Sequence, residues 1–212
     1  MAWNATLSLD YSLQAGKTIA HFRHDGPLRI LQSLYPEGDA VCHNVLVHPP
    51  GGLVGGDLLD VKLHVDTGAH AMLGTPGATR FYAADNASAT QQVAITLDPG
   101  ARLEWLPLEA IAYPGCDALN AVRATLAEGA EMMGWDVTAL GLPLAHQPYT
   151  TGRFRQRLEM PGIWLEQATI DATDTRLMQS PLGLAGQRCL GTFWFATGTA
   201  LHRDRREHLL EV

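Results

Sequence analysis

The chain has 212 residues, 46% of them hydrophobic and 17% charged, with a net charge of −7. That is enough apolar material to close a sizeable core, and the acidic balance, with no basic stretch before Arg203-Asp204-Arg205-Arg206, excludes nucleic acid as the main partner. Cys42, Cys116 and Cys189 form neither a zinc pattern nor a disulfide framework, no signal-peptide pattern opens the chain, and no apolar run approaches a membrane span; the expectation is a cytoplasmic single domain over residues 1–212 with no membrane partner.

Along the chain, one turn pattern recurs. Tyr35-Pro36-Glu37-Gly38 precedes Ala40-Val41-Cys42, Val65-Asp66-Thr67-Gly68 precedes Ala69-His70-Ala71, and Leu97-Asp98-Pro99-Gly100 precedes Ala101-Arg102-Leu103. Leu126-Ala127-Glu128-Gly129 and Met160-Pro161-Gly162 continue the series. The glycines recur at a spacing of roughly 30 residues, the period of stacked supersecondary units. Pro or an acid sets up each turn and Gly supplies positive φ, which predicts a hairpin at each point. The flanks, such as Val61-Lys62-Leu63-His64-Val65 and Gln92-Val93-Ala94-Ile95-Thr96-Leu97, alternate in the manner of strands. The fold class is therefore all-β, built of repeated hairpin units. The period allows a stacked solenoid or a sandwich and does not choose between them. Helical periodicity is confined to Ala200–Leu210 near the C-terminus and to a shorter stretch, Trp135–Leu140.

Two loops stand out. His48-Pro49-Pro50-Gly51-Gly52-Leu53-Val54-Gly55-Gly56-Asp57 can be neither helix nor central strand, and reads as a rigid loop presenting one acid at its exit. Thr75-Pro76-Gly77-Ala78-Thr79-Arg80-Phe81-Tyr82 joins a stiff turn to a cation and two aromatics, a combination common at protein interfaces and equally at a strand end with Arg80 stacked on Tyr82.

Known catalytic patterns fail one by one. The glycine run lacks the Lys of a phosphate-binding loop, and its single copy cannot assemble a calcium site of the repeated type. Nine histidines include no His-Glu-x-x-His, Cys42 and His43 are adjacent and so face opposite sides of a strand, and His64 and His70 could share a face, although on strands a solvent edge is the better expectation for both. No Gly-x-Ser-x-Gly elbow is present. Glu104 and Glu109 flank Trp105-Leu106-Pro107-Leu108 and are the carboxylate pair a glycoside hydrolase would need, although an alternating strand turns Glu104 to solvent. Asp136 and Glu166 lie beside Trp135 and Trp164 in successive repeats; stacked strands would bring them, with Asp57, to one interior seam, and buried acids require water, a cation or Arg partners.

Taken together, these stretches resemble the UreD (UreH) family of urease accessory proteins. The resemblance rests on Gly26-Pro27-Leu28-Arg29, Tyr35-Pro36-Glu37, the His48–Asp57 and Thr75–Tyr82 blocks, Leu103-Glu104-Trp105-Leu106-Pro107-Leu108-Glu109-Ala110-Ile111, Gly134-Trp135-Asp136 and Leu140-Gly141, from Trp3 to Gly191. It implies a β-solenoid-like scaffold with one or two short helices, and no enzymatic activity of its own. It implies docking on the urease apoprotein with UreF-type and UreG-type partners, the latter hydrolysing GTP, to support nickel insertion at a dinickel site. No cofactor is implied beyond nickel in transit. A transient nickel path is implied at Asp57, Asp136 and Glu166, with Thr79, Arg80 and Tyr82 as further passage or interface residues. Weakly holding oxygen ligands suit such cargo, since a closed His/Cys cage would trap the ion. Two departures are visible: Leu142 stands where the family usually has Arg, and an acid is replaced near His146-Gln147-Pro148, which removes an ion pair or partner contact. The family also normally extends beyond the position of Val212, and missing terminal strands would leave an unpaired sheet edge. The competing readings are a carbohydrate-active hydrolase working through Glu104 and Glu109, and a general β-repeat adaptor with no metal role.

Overall fold

The computed structural model describes residues 2–85 and 87–211. In chain order its strands are β1 (Asn4–Gln14), β2 (Lys17–Asp25), β3 (Arg29–Ile30), β4 (Val41–Val47), β5 (Leu58–Val65), β6 (His70–Gly74), β7 (Thr79–Phe81) and β8 (Ala89–Leu97). There follow β9 (Arg102–Leu106), β10 (Ala110–Ala112), β11 (Asp117–Leu126), β12 (Glu131–Leu142), β13 (Gln147–Pro148), β14 (Arg153–Met160), β15 (Trp164–Asp171) and β16 (Cys189–Thr197). Two short α-helices, α1 (Thr175–Gln179) and α2 (Arg203–Leu210), and a 3-10 turn at Pro143–Ala145 complete the described elements.

The strands wind into a β-solenoid of about four turns. One wall has the order β15-β14-β11-β8-β5-β1-β2, and β1, β5, β8, β11 and β14 pair in parallel. The opposite wall runs through β3-β4-β6-β9-β12. Burial alternates along the central strands, so inward residues of successive coils fall into rows. Leu7, Val61, Val93, Val122 and Leu158 make one such row, every member buried. The core is a stack of these rows, each strand burying its apolar parity against the facing wall.

The five glycine turns are of two kinds, which revises the expectation of a hairpin at each. Gly38 and Gly162 do sit in antiparallel connections, beside the Leu34–His43 bridge and between β14 and β15. Gly68, Gly100 and Gly129 instead carry the chain from one wall to the other, with φ of 70°, 69° and 70°. Their turns stack: Asp98 N donates to Val65 O at 3.0 Å and Ala127 N to Leu97 O at 2.9 Å. A corner and a hairpin both need positive φ, so local chemistry is the same and only the pairing partner differs. The helix expected near the C-terminus forms as α2 within Ala200–Leu210. The helix expected over Trp135–Leu140 does not form: this segment lies within β12, paired with β16 along one side and with β10 at Thr138–Leu140 on the other, and alternately buried. β-branched Val137 and Thr138 favour that outcome, and a helix would leave no parity for the inward Gly134, Asp136 and Thr138.

The second wall is split. β6 and β9 pair at one end, and β7 and β10 at the other, while β12 spans both as a continuous strand. Residues 75–78 and 107–109 leave the ladder between these pieces. Pro76 and Pro107 lack the N–H a ladder would use there. The gap is held open by Leu108 N donating to Thr75 Oγ1 at 2.9 Å and Trp135 Nε1 to Pro107 O at 2.6 Å.

Candidate functional site

Beside this split the two proline–glycine loops meet. Leu53 N donates to Arg80 O at 2.7 Å and Tyr82 N to Leu53 O at 2.9 Å, so the first loop forms a strand-like contact with β7. Gly52 is required for that approach: a Cβ there would stand 2.3 Å from Tyr82 Cε2. The loops enclose a mouth of about 160 Å³ walled by His48, Thr75, Thr79, Arg80 and Gln91. Burial holds the His48 imidazole below its usual pKa, favouring the neutral ring, with Asp57 acting weakly the other way. The hydrogen bond that Arg80 donates to Tyr82 keeps the exposed guanidinium above its usual value. Tyr82 stacks edge-on against Tyr113, with ring centroids 4.7 Å apart.

Behind the mouth lies an enclosed cavity of about 20 Å³, room for about one water. The mouth and cavity share Leu46, Thr75, Thr79 and Gln91 as wall. The far wall is Asp136, which also lines an open recess of about 560 Å³ with Gln156, Glu166 and Thr192 on the other side. Mouth, cavity and recess thus stand in series, with Asp136 between the last two.

The polar groups here come from one row. Gln91 on β8, Asn120 on β11 and Gln156 on β14 are register partners, all pointing inward, one step along the strands from the apolar Val93–Val122–Leu158 row. Gln91 Nε2 donates to Asn120 Oδ1 at 3.1 Å, and Asn120 Nδ2 to Asp136 Oδ2 at 3.0 Å. Gln156 Nε2 donates to Asp136 Oδ1 at 2.7 Å, and the Thr138 hydroxyl lies 3.4 Å from the same oxygen. Burial pushes the Asp136 carboxyl up to about 6; its Thr138 and Asn120 partners oppose that and the Glu166 charge adds to it. Glu166 accepts from Thr192 Oγ1 at 3.1 Å in the recess. Trp105, 3% exposed, lines the small cavity, and its Nε1–H has no acceptor among the described residues.

Asp136 and Glu166 therefore wall one recess, and Thr79 and Arg80 wall the mouth. Tyr82 lines a separate outer pocket with Tyr113, Pro114 and Gln147. Asp57 stands apart from the series: it accepts from Trp3 N at 2.8 Å and Val54 N at 2.9 Å, closing the glycine loop onto β1. Gln91, Asn120, Gln156, Thr138 and Trp105 were not singled out from the sequence. Their signal was parity: each is a polar or large residue at an inward position of an alternating strand.

The remaining candidates fall elsewhere. Glu104 lies on the outer face, its Oε1 3.0 Å from His70 Nε2, and neither it nor Glu109 lines any of the cavities above. His64 and His70 do not share a face, since they belong to opposite walls. His64 is instead grouped with Asp66 and Asp98 on the outer corner, their ligand atoms within 4.8 Å of one another. Its ring nitrogens lie 3.2 Å from Asp98, 3.4 Å from Asp66 and 3.7 Å from Asp10, an imidazole ringed by carboxylates. Among the described residues no helix is long and apolar enough to cross a membrane.

Comparison with known proteins gives a consistent picture. The family model described as UreD urease accessory protein matches residues 4–212. The urease accessory proteins UreD of Polaromonas sp. strain JS666 and Polaromonas naphthalenivorans are 62% and 61% identical over 212 residues. That of Variovorax paradoxus is 59% identical over the same length. Each alignment covers 100% of this chain and 77% of the relative.

Proposed function

The chain belongs to the UreD family of urease accessory proteins, and from that membership we propose that it serves urease maturation as a scaffold without turnover of its own. The match over residues 4–212 carries this reading. In it, the protein docks on the urease apoprotein in the cytoplasm together with UreF-type and UreG-type partners and guides nickel toward the enzyme. GTP hydrolysis falls to the UreG-type partner.

Nickel is cargo here, and no tightly bound cofactor is part of the proposal. The path runs from the mouth at Thr79 and Arg80, past Asp136, to the recess at Glu166. Its support is the series of cavities that share walls, and a donor set of oxygens with few charges. Such a set binds a divalent ion weakly enough to release it, whereas thiolate or imidazole cages hold it. The half-buried Tyr82–Tyr113 pair and the exposed Arg80 beside the mouth suit a protein contact that seals a partner over the opening.

The test is reconstitution. Removing the chain should leave urease nickel-free and inactive, and a tagged chain should co-purify with the apoprotein and the UreF-type and UreG-type proteins. Full activation in its absence, or recovery of the tagged chain without any of these proteins, would refute the scaffold role.

A further inference from the structure

The row of amides around Asp136 is arranged in a way that the scaffold does not need. At the same register position the preceding coil carries Leu59, and the coil before that Ala5, both buried. Three amides and an acid inside a protein cost stability unless fully bonded, and a leucine would satisfy the fold. The row also straddles the narrow point. Gln91 lines the mouth and the small cavity, Asn120 the small cavity, and Gln156 the recess, with Asp136 between.

All three amides have one sense. Every NH₂ points along the chain of bonds toward the Asp136 carboxylate, Gln91 to Asn120, Asn120 to Asp136 and Gln156 to Asp136. This donor state stabilises an unoccupied anion and occupies its oxygens. The terminal torsion of a side-chain amide is two-fold, so a half turn exchanges nitrogen for oxygen in the same space. After that turn Asn120 Oδ1 and Gln156 Oε1 face Asp136 as acceptors. With the carboxylate and Thr138 Oγ1 they offer an all-oxygen set carrying one negative charge, suited to a divalent cation held briefly. Asn120 cannot turn alone, because its Oδ1 accepts from Gln91; Gln91 must turn with it and present its own oxygen to Asn120 Nδ2. The Trp105 N–H, on the same cavity wall and without an acceptor among the described residues, is placed to bond a water oxygen carried by the ion.

We propose that Asn120 and Gln156 are ligands that, with Asp136, form a single-ion holding point, and that their half-turn on loading is relayed through Gln91 to the mouth. The donor state keeps the point closed to cations until one arrives, and the acceptor state holds the ion between mouth and recess. This rests on the reading of a nickel path given above and names the residues that control it.

The full chain, labelled with ¹⁵N in its Asn and Gln side chains, is titrated with Zn²⁺ as a diamagnetic stand-in and then with Ni²⁺. The expected result is that Zn²⁺ shifts the NH₂ signals of Asn120, Gln156 and Gln91 together, and that Ni²⁺ broadens the first two most. Asn120→Leu and Gln156→Met should each weaken binding at this point by about tenfold, the loss expected when a supporting polar group is removed from a metal site. The measurement on the unsubstituted chain stands even if a variant fails to fold. Unchanged NH₂ signals while metal reaches Asp136, or no metal at Asp136 at all, would overturn the proposal. If the signals move as expected but Asp136→Ala does not impair urease activation, the holding point stands and the nickel-path reading fails. If activation needs Asp136 while the amides stay still, the reverse holds.

Discussion

Two neighbouring rows of one sheet wall differ in chemistry. Leu7, Val61, Val93, Val122 and Leu158 are apolar in every coil; Ala5, Leu59, Gln91, Asn120 and Gln156, one step away, turn polar at the third coil. Backbone pairing is the same in both. The first row is what a solenoid needs to hold its coils together, since each side chain packs on the one above. The second gives up part of that packing to surround Asp136. The comparison teaches that the amides of this wall stand at the level where the facing wall is split at residues 75–78 and 107–109.

The contrast can be broken first in the dry row. Leu158→Ala should lower stability by about 2–5 kcal/mol in urea unfolding, because the site is fully packed and cannot collapse. A change below about 1 kcal/mol would mean that the row is not the structural spine.

Next comes the acid of the wet row. Asp136 ionises at about 6 in the folded chain against 3.8 ordinarily, so the folded state holds its proton more tightly than the unfolded one. Stability should therefore fall as pH rises between these values, by on the order of 3 kcal/mol in all, and stay lower above them. Asp136→Asn should remove that slope in unfolding measured from pH 4 to 8. Glu131, held below the usual carboxylate range by its bond to Arg205, slopes the opposite way at lower pH and cancels in the difference between the two proteins. Identical pH profiles would show that Asp136 is more hydrated than its burial implies.

The smallest effect is expected at Gln91. Gln91→Leu copies Leu59 of the adjacent coil and should change stability by less than about 1 kcal/mol. It removes a donor from Asn120, not from the carboxylate itself. A large loss would make the amide row part of the fold.

Much of this was legible in the sequence. The spaced glycines announce the coils, because every corner needs positive φ, and alternation announces the strands. What could not be read locally is which strand each turn joins to which: Gly68 and Gly162 look alike, yet one makes a corner and the other a hairpin. Trp135–Leu140 shows the same limit, since a six-residue stretch with four apolar residues suits either period until its neighbours on both sides are known. Asp136 and Glu166 were flagged because acids beside tryptophans are conspicuous. Asn120 and Gln156 were not, since an amide in an alternating strand is unremarkable until parallel register lines the two up and the facing wall brings Asp136 within one hydrogen bond of each. Asp57 was equally conspicuous and turns out to bond two backbone amides, a role that its glycine-rich context also fits.

The central claim is that the wet row is a route for an ion and not a fault in the core. Urease matured with the Asp136→Ala chain should be isolated in its normal complex and its nickel content measured. The account predicts undiminished assembly with nickel reduced by about tenfold. Full nickel loading through an intact complex would contradict it.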